Sequence, residues 1–400
     1  MNHGNPAGHR ALAAAISLGA VLVACGSSAA RPSASATGTP LQSPPPTAVP
    51  TPSPTPTPAA EPPLLVTVQN IGPISNPFSS IKLTLISESG HVPGSFTDLG
   101  GVDGDAYFVG ATHVYFIDGT KVMAMGRDGT VTNAGQVPQP TATVGAVDRQ
   151  DFTAFAVSPD ESTLLFGIPL AVAGRNGATA DHSQLWSEAV GGAAASATMV
   201  YDEPASTGGV LLPFAWTAGS VWGSDLSTSG LGGAGPFLDY SAFDPFTFDP
   251  ASHALTAVPS SCFLVDSAAV DAANNYACTP QPGSTKLTVS EPAGTKTVTM
   301  GPATATAFGA FRVTNDGRYL AYGVFTGDFG LGTGSYATTV VDLDTSAIVA
   351  TVPGFSPDCW LDDDRLLVNR NYMEAPTYLL STSFSSPTRI SVNLGVGALP

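Results

Sequence analysis

SPDESTLLFG (residues 158–167), TNDGRYLAYG (314–323) and WLDDDRLLVN (360–369) are three stretches with one shared spacing. In each of them an aspartate is followed at the fourth, fifth and sixth positions by apolar residues. Aspartate and glycine favour tight turns, and a short apolar run is typical of a buried strand. The unit therefore predicts a turn followed by an inner strand. The turn aspartates are Asp160, Asp316 and Asp362, and the strand residues are Leu164, Leu165, Leu320, Leu366 and Leu367.

The same spacing recurs elsewhere in the chain. VDGDAYFVG repeats it from Asp103, and weaker copies start near Ala218 and Asp271. Successive copies lie 57, 58, 53, 45 and 46 residues apart. A repeat of about 40–55 residues that holds about four short strands is typical of β-propeller blades. The repeat therefore predicts a propeller, with Asp103 as a fourth structural turn residue.

VSPDESTLLFG (157–167) and VTNDGRYLAYG (313–323) resemble the repeat of TolB-like, WD-type β-propellers, in which an apolar residue is followed by Ser-Pro-Asp-Gly and an apolar strand. The resemblance implies four-stranded blades and says almost nothing about activity. Six copies are visible, and residues 64–98 supply another candidate blade. We therefore expect about seven blades. Six blades with an N-terminal addition, and a pair of β-sandwiches, remain as alternatives.

Composition supports an all-β domain. The 400 residues include 43 glycines and 35 prolines, and 11% are charged. No window keeps a helical apolar period, whereas short apolar or alternating runs are bounded by Gly, Pro, Asn, Asp or Ser, which favours strands. Residues 64–400 are long enough for one large core, so we expect a single propeller domain there.

The N-terminus predicts a lipid anchor. ALAAAISLGAVLVA (11–24) is an apolar run too short to span a bilayer but suited to a signal peptide. The run ends in Leu22-Val23-Ala24-Cys25, which resembles the bacterial lipobox. That resemblance implies a signal peptide over residues 1–24, removed so that an acylated Cys25 becomes the new N-terminus. An ordinary secretory signal with an incidental cysteine is the alternative.

Residues 25–63 predict a tether. From Arg31 to Pro63 the sequence is mostly Pro, Ser, Thr and Ala, which cannot bury enough apolar surface to offset the entropy of ordering. Proline favours extended polyproline II, which rises about 3.1 Å per residue. We expect a disordered linker that holds the propeller off the membrane.

Cysteines and histidines give few candidate sites. Cys262 and Cys278 flank a predicted turn, so two antiparallel strands would bring them together and a disulfide is predicted outside the cytoplasm. Two buried free thiols are the alternative. Cys359 is left over and is interpreted as a small buried apolar residue. The four histidines after residue 25 are isolated in sequence and are interpreted as structural or surface residues: His91, His113, His182 and His253.

Several short motifs are interpreted as incidental. GLGGAGP (230–236) matches a dinucleotide-binding glycine pattern, but Pro236 follows it and no helical pattern continues. SSIK (79–82) lacks the partners and the helical context of a β-lactamase site. Asp362-Asp363-Asp364 could bind calcium, but its place in the repeat favours a turn, as does DLDTS (342–346). We therefore predict no catalytic residue, no metal and no cofactor.

Charge restricts the partners. The net charge is −17, and only four lysines occur in the chain. Nucleic-acid binding and attraction to anionic lipids both need clustered basic residues, which are lacking. The sequence thus favours a monomeric, membrane-anchored extracytoplasmic module that binds a protein or a glycan. A glycan-active hydrolase or lyase, and an accessory or sensor lipoprotein of an envelope complex, are the alternatives.

Overall fold

The computed structural model divides the chain into two compact units, residues 1–58 and 59–400, and all described residues belong to the second unit. They are residues 62–70, 81–98, 107–139, 154–174, 177–192, 197–204, 210–217, 219–225, 245–258, 276–278, 284–291, 294–314, 316–328, 333–370, 374–381, 383–391 and 394–399. The predicted signal peptide, Cys25, residues 26–61 of the predicted linker and Asp103 lie outside these ranges.

The described ranges contain strands and no helix. The strands are β1 (Leu64–Asn70), β2 (Ile81–Ile86), β3 (Gly94–Asp98), β4 (Tyr107–Val109), β5 (His113–Asp118), β6 (Lys121–Gly126), β7 (Val131–Gln136), β8 (Ala154–Val157), β9 (Thr163–Gly174), β10 (Gly177–Ala189), β11 (Thr198–Asp202), β12 (Leu211–Trp216), β13 (Val221–Asp225), β14 (Pro245–Asp249), β15 (Ala254–Ala257), β16 (Tyr276–Cys278), β17 (Lys286–Glu291), β18 (Gly294–Thr299), β19 (Ala307–Val313), β20 (Tyr319–Asp328), β21 (Thr333–Asp342), β22 (Ala347–Pro353), β23 (Phe355–Asp362), β24 (Arg365–Arg370), β25 (Glu374–Leu380), β26 (Thr388–Ser391) and β27 (Leu394–Leu399).

These strands form seven antiparallel sheets, which are the blades of a seven-bladed propeller. Blade 1 has the order β27-β1-β2-β3, blade 2 is β4–β7, blade 3 is β8–β11 and blade 4 is β12–β15. Blade 5 shows β16–β18, blade 6 is β19–β22 and blade 7 is β23–β26. The expected all-β propeller of about seven four-stranded blades is confirmed; for blade 5, three strands lie within the described ranges.

Blade 1 closes the ring by joining the two ends of the domain. Strand β27 from the C-terminal end pairs with β1, so Leu64 lies opposite Leu399 and Val66 opposite Gly397. Residues 64–98 therefore supply three strands of a complete blade, and the alternative of six blades with an N-terminal addition is wrong. First strands of successive blades contact each other in the order β4–β8–β12 and β19–β23–β27–β4, as a ring requires.

Because neighbouring strands within a blade are antiparallel, the connections between them alternate between the two ends of the ring. The turn end carries the connections between the first and second strands and between the third and fourth strands of each blade. The hairpin end carries the connections between the second and third strands. Two hairpins extend past their neighbours there: β8 pairs with β9 only as far as Gly167, whereas β9–β10 pairing continues to Gly174. Hairpin β20–β21 similarly continues beyond β19 to Asp328.

The repeat marks the second strand of a blade. Leu164 and Leu165 lie on β9, Leu320 on β20, and Leu366 and Leu367 on β24; all five side chains are at most 1% exposed. They are thus one strand away from the ring axis. The copy that starts at Asp103 precedes Tyr107–Val109, which is β4, the first strand of blade 2. That copy is one strand out of phase with the others, so its 57-residue step is not a blade-to-blade step.

The core lies between the blades. Each large apolar cluster joins the facing sides of neighbouring sheets, as in the cluster of Tyr115, Ile117, Phe155, Leu164 and Phe166 between blades 2 and 3. Close packing there also demands glycine. A side chain at Gly167, the last residue of the first repeat, would collide with the carbonyl oxygen of Leu211 in blade 4.

Candidate functional site

Polar side chains in the described residues concentrate at the seams, by which we mean the surfaces between consecutive blades. Buried polar groups that are not needed for folding are candidates for chemistry. The densest polar cluster lies at the turn end, in the seam between blades 2 and 3.

Glu161 is the centre of that cluster. Its Oε1 accepts hydrogen bonds from the backbone N–H of Thr112 (2.6 Å) and of His113 (3.2 Å). Its Oε2 accepts from the Thr112 hydroxyl (2.6 Å) and the Tyr115 hydroxyl (3.1 Å), and lies 2.7 Å from His113 Nδ1. A carboxylate of blade 3 thus holds the first turn and second strand of blade 2.

Hydrogen bonding decides the charge state of this carboxylate. Burial favours the neutral form and would raise the pKa of Glu161, but the donors on Thr112, His113 and Tyr115 outweigh burial and lower that pKa. Burial, followed by the negative charge of Glu161, raises the pKa of Tyr115. Tyr115 therefore stays a neutral donor, and Glu161 stays ionised as the acceptor.

Glu161 also occupies an unusual backbone position. It stands where the TolB-like pattern has glycine and where the matching turn of blade 6 has Gly317. Its φ is 54° and that of Gly317 is 71°, so both adopt the left-handed conformation. A non-glycine residue in this region carries a strain of about 1–3 kcal/mol. The contacts made by its carboxylate offset that strain.

Glu188 lies further out in the same seam, on β10. It is 2% exposed, and its Oε2 accepts a hydrogen bond from the backbone N–H of Gln136 on β7 (3.3 Å). Its Oε1 is buried and accepts no hydrogen bond from the described residues. Burial raises the pKa of Glu188, and the Gln136 N–H only partly opposes this effect.

The seam between blades 3 and 4 holds a second acidic group. Ser183 donates its backbone N–H to Glu203 Oε2 (3.0 Å), and its hydroxyl accepts from the backbone N–H of Leu211 in blade 4 (3.1 Å). Tyr201 is close by: burial, and then the charges of Glu203 and Asp225, raise its pKa. This arrangement joins the two blades.

Blades 6 and 7 are joined by their first strands. Arg312 on β19 donates its Nε to the carbonyl of Asp358 on β23, and Trp360 Nε1 donates to the carbonyl of Arg312 (3.0 Å). The neighbouring Cys359 is a free thiol, and burial, aided by the charge of Asp358, raises its pKa well above the usual range against the effect of Arg312. A thiol held protonated is a poor nucleophile.

Charged pairs join further blades at the turn end. Lys296 of blade 5 lies 3.0 Å from Asp344 of blade 6 and 3.1 Å from Glu291 of its own blade. Arg365 of blade 7 pairs with Glu88 of blade 1. Polar links therefore bridge the seams around most of the ring.

Three of these links have a similar sequence separation, which local motifs cannot reveal. Partners lie 49 residues apart for Thr112–Glu161, 48 for Lys296–Asp344 and 46 for Arg312–Asp358. These separations are close to one blade repeat. Polar residues about one repeat apart were the available signal, and an alignment of aspartates and apolar triplets alone does not show them.

Of the predicted turn aspartates, Asp160, Asp316 and Asp362 lie at the turn end, and Asp103 lies outside the described residues. Asp160 accepts hydrogen bonds from the Ser158 hydroxyl (2.6 Å) and the Ser162 backbone N–H (3.1 Å). Asp316 makes the same pair of contacts with the Thr314 hydroxyl (2.7 Å) and the Arg318 N–H (2.9 Å). The serine or threonine two residues earlier is thus part of the motif.

Asp362 differs from the other two. It is the last residue of β23, lies directly opposite Arg365, and accepts from the backbone N–H of Asp364 (3.0 Å). The acidic run 362–364 therefore forms a two-residue hairpin turn. The turn at Asp342 is longer: Asp342 lies opposite Ala347 and accepts from the Asp344 and Thr345 N–H groups.

Of the predicted disulfide pair Cys262–Cys278, the described residues include Cys278. Cys278 is disulfide-bonded, and Cys262, its predicted partner, lies outside the described residues. The pairing therefore stays a prediction. Cys359 contacts the cluster of Leu65, Leu361 and Leu367.

The histidines do not converge. His113 belongs to the Glu161 cluster, and His182 lies 3.5 Å from Asp202. His253 stacks on Phe248 with ring centroids 6.2 Å apart, and His91 is exposed in a turn. Within the described ranges, no group of three or more His, Cys, Asp or Glu side chains could hold a metal ion. In the same ranges, no helix is long and apolar enough to cross a membrane.

No protein-family model and no curated protein matches the sequence. Solved structures to which the chain is similar include one from a study of two prolyl endopeptidases, with a TM-score of 0.48 and 12% identity over 83% of this chain and 51% of that chain. Another is dipeptidyl peptidase 4 of Porphyromonas gingivalis, with a TM-score of 0.45 and 13% identity over 82% and 50%.

A third is oligogalacturonate lyase of Vibrio parahaemolyticus, with a TM-score of 0.45 and 8% identity over 80% of this chain and 92% of that chain. The present chain spans about half the length of the two peptidase structures. At these identities and scores the similarity carries no argument about activity, and the β-propeller scaffold stands on the strand pairing described above.

Proposed function

We propose that the protein is a membrane-anchored extracytoplasmic propeller that works as a monomeric binding or scaffold module for a protein or a glycan. The observation that supports this most is the use of the buried polar groups. In the described part of the chain they join neighbouring blades or close turns, and they do not converge into a nucleophile, a base and an electrophilic site.

The hairpin end is the proposed binding end. Hairpin β20–β21 extends past β19, and residues 327–328 and 333–335 near its tip are exposed. Its base is fixed by Thr306, whose hydroxyl donates to the carbonyls of Phe325 (3.2 Å) and Gly327 (2.9 Å). A rigid scaffold that carries longer connections at one end is the usual arrangement for recognition.

The proposed location depends on Cys25. The lipobox-like run Leu22–Cys25 and the Pro-rich segment before the first blade support a lipid anchor followed by a tether. With only four lysines in the chain, acyl chains rather than basic residues would hold the protein at the membrane.

Replacing Cys25 tests the anchor. We expect Cys25→Ala to leave the membrane fraction or to accumulate as an unprocessed precursor, because the acylated sulfur is lost. Cell fractionation followed by mass determination of the N-terminus is the measurement. Cys359→Ala, which removes the free thiol of the propeller, is the matched control and should stay in the membrane fraction. A correctly cleaved Cys25→Ala product that stays membrane-bound would contradict the anchor.

Turnover assays test the choice between a binding module and an enzyme. Full-length protein incubated with a panel of oligosaccharides, including uronic-acid oligomers, should leave every substrate intact even where it retains one in a binding assay. Release of shorter or unsaturated products, lost when the protein is heat-denatured, would establish the hydrolase or lyase and contradict the proposal.

A further inference from the structure

The seam between blades 2 and 3 departs from the blade repeat at two positions, and both hold a glutamate. Glu161 stands at the glycine of the turn, as shown by its alignment with Gly317. Glu188 stands on the third strand, directly opposite Leu164. The corresponding pairs in blades 2, 4, 6 and 7 are apolar on both strands: Val114–Met125, Val221–Phe248, Leu320–Val341 and Leu366–Leu380.

The four third-strand residues at the position of Glu188 are at most 1% exposed: Met125, Phe248, Val341 and Leu380. Glu188 is 2% exposed, so its carboxyl group has replaced an apolar side chain without gaining access to water. A carboxylate in such a place is costly when ionised. The repeat itself thus shows that folding does not require an acid at this position.

The two glutamates differ in their hydrogen-bond donors: Glu161 accepts from Thr112, His113 and Tyr115, and Glu188 accepts from Gln136. We propose that the seam between blades 2 and 3 is a pH-responsive junction, closed by the hydrogen-bonded Glu161 carboxylate and opened when Glu188 ionises. Glu161 needs its negative charge to bind the donors of Thr112, His113 and Tyr115. Glu188 is accommodated only as the neutral acid, because one N–H, that of Gln136, reaches it.

The groups that face Glu161 differ from those that face Glu188. Glu161 faces Thr112, His113 and Tyr115 of blade 2, with Asp160 beside it in its own turn. Asp128 of the β6–β7 turn and His113 both lie close to Gly126. Glu188 faces the Gly135–Gln136 backbone of β7 and Leu164 of β9, and its pKa is raised by burial against the opposing effect of the Gln136 N–H.

The signs follow from linkage. Because the pKa of Glu161 is lowered in the folded protein, its contribution is present above its unfolded pKa and is lost as pH falls through the folded value. Because the pKa of Glu188 is raised, its neutral form is compatible with the closed seam below the unfolded pKa, and closure weakens as pH rises towards the folded value. The seam is therefore tightest between the two pKa values.

Hydrogen exchange on the full-length protein tests the proposal. The reporters are the amides that the glutamates bind: Gln136 for Glu188, and Thr112 and His113 for Glu161. After correction for intrinsic exchange, we expect opening at Gln136 to increase by up to about tenfold per pH unit above the ordinary glutamate pKa. Opening at Thr112 and His113 should increase as pH falls below it.

Variants separate the two glutamates. In Glu188→Gln, amide exchange at Gln136 should no longer increase with rising pH. Glu188→Leu restores the apolar residue of the repeat, should have the same effect, and replaces the glutamine variant if that variant folds poorly. Glu161→Gly, which relieves the left-handed strain and removes the carboxylate, should abolish the acid-side response at Thr112. Glu203→Gln changes a buried carboxylate of the next seam and is the matched control; it should leave both responses unchanged.

Two results would overturn the proposal. One is a flat corrected profile at Gln136 from acid to neutral pH in the unmodified protein. The other is an equal pH response at Leu211, which donates to Ser183 in the seam between blades 3 and 4, because that would mean a change of the whole domain.

Discussion

A chain that ends after Ser391 should lose the single cooperative unfolding transition of the propeller. The missing segment contains β27, which supplies the first strand of blade 1 and pairs with β1 from Leu64–Leu399 to Val68–Leu394. Without it, the edge of β1 has unpaired backbone groups, and each buried unpaired group costs about 1–3 kcal/mol. The two seams on either side of blade 1 also lose a strand.

Apolar packing adds to the loss. Leu399 is fully buried among Leu64, Val66 and Leu83 of blade 1 and Val114 of blade 2. Because total stability is about 5–15 kcal/mol for a domain, these losses together exceed what the ring can tolerate. Circular dichroism melts of the shortened chain measure this, and removal of Pro400 alone is the matched control. An unchanged melting temperature would contradict closure by β27.

Leu320→Ala should lower the free energy of unfolding by about 2–5 kcal/mol. Leu320 is fully buried on β20, in a cluster with Phe311, Tyr322 and Val341, so truncation leaves a cavity that the flanking strands of blade 6 cannot fill. The side chain makes no polar contact, and the loss should therefore be independent of pH. Denaturant titration of the full chain measures it.

Asp316→Ala is the matched control for this variant, four residues earlier in the same repeat. Asp316 accepts two turn hydrogen bonds, from the Thr314 hydroxyl and the Arg318 N–H, and each is worth about 1 kcal/mol net. The leucine variant should therefore be the less stable of the two. A larger loss from the aspartate variant would show that Asp316 holds more than a turn, and the structural interpretation of the repeat would be wrong.

The blade count and the burial of the repeat leucines could be predicted from sequence, because a turn residue followed by an apolar triplet is a local pattern. The phase of the copy at Asp103 could not, since its apolar triplet Tyr107–Val109 fits a first strand as well as a second one. Closure by β27 joins residues more than 300 positions apart, and no local pattern reports such a pairing.

The seam contacts were hidden for a different reason. Glu161 and Glu188 each contact a residue about one repeat away, in the preceding blade. Apolar triplets recur along the chain, whereas these glutamates depart from the repeat. A search for recurring residues does not detect residues that occur in a single blade. Comparing each blade with the others position by position would have singled them out.

Disulfide trapping across the closing strand pair is the most direct test of a closed seven-bladed ring. Leu64 and Leu399 lie opposite each other in the β1–β27 register. Directly opposed residues of an antiparallel pair have Cα atoms about 4.5–5.5 Å apart, which is within the range of a disulfide. In Leu64→Cys/Leu399→Cys the account predicts an intramolecular bridge between these two positions, found by peptide mapping under mild oxidation. Leu64→Cys/Thr388→Cys, whose second position lies on β26 and does not pair with β1, should form none. A bridge that forms as readily in this control, or none between positions 64 and 399, would contradict the closed ring.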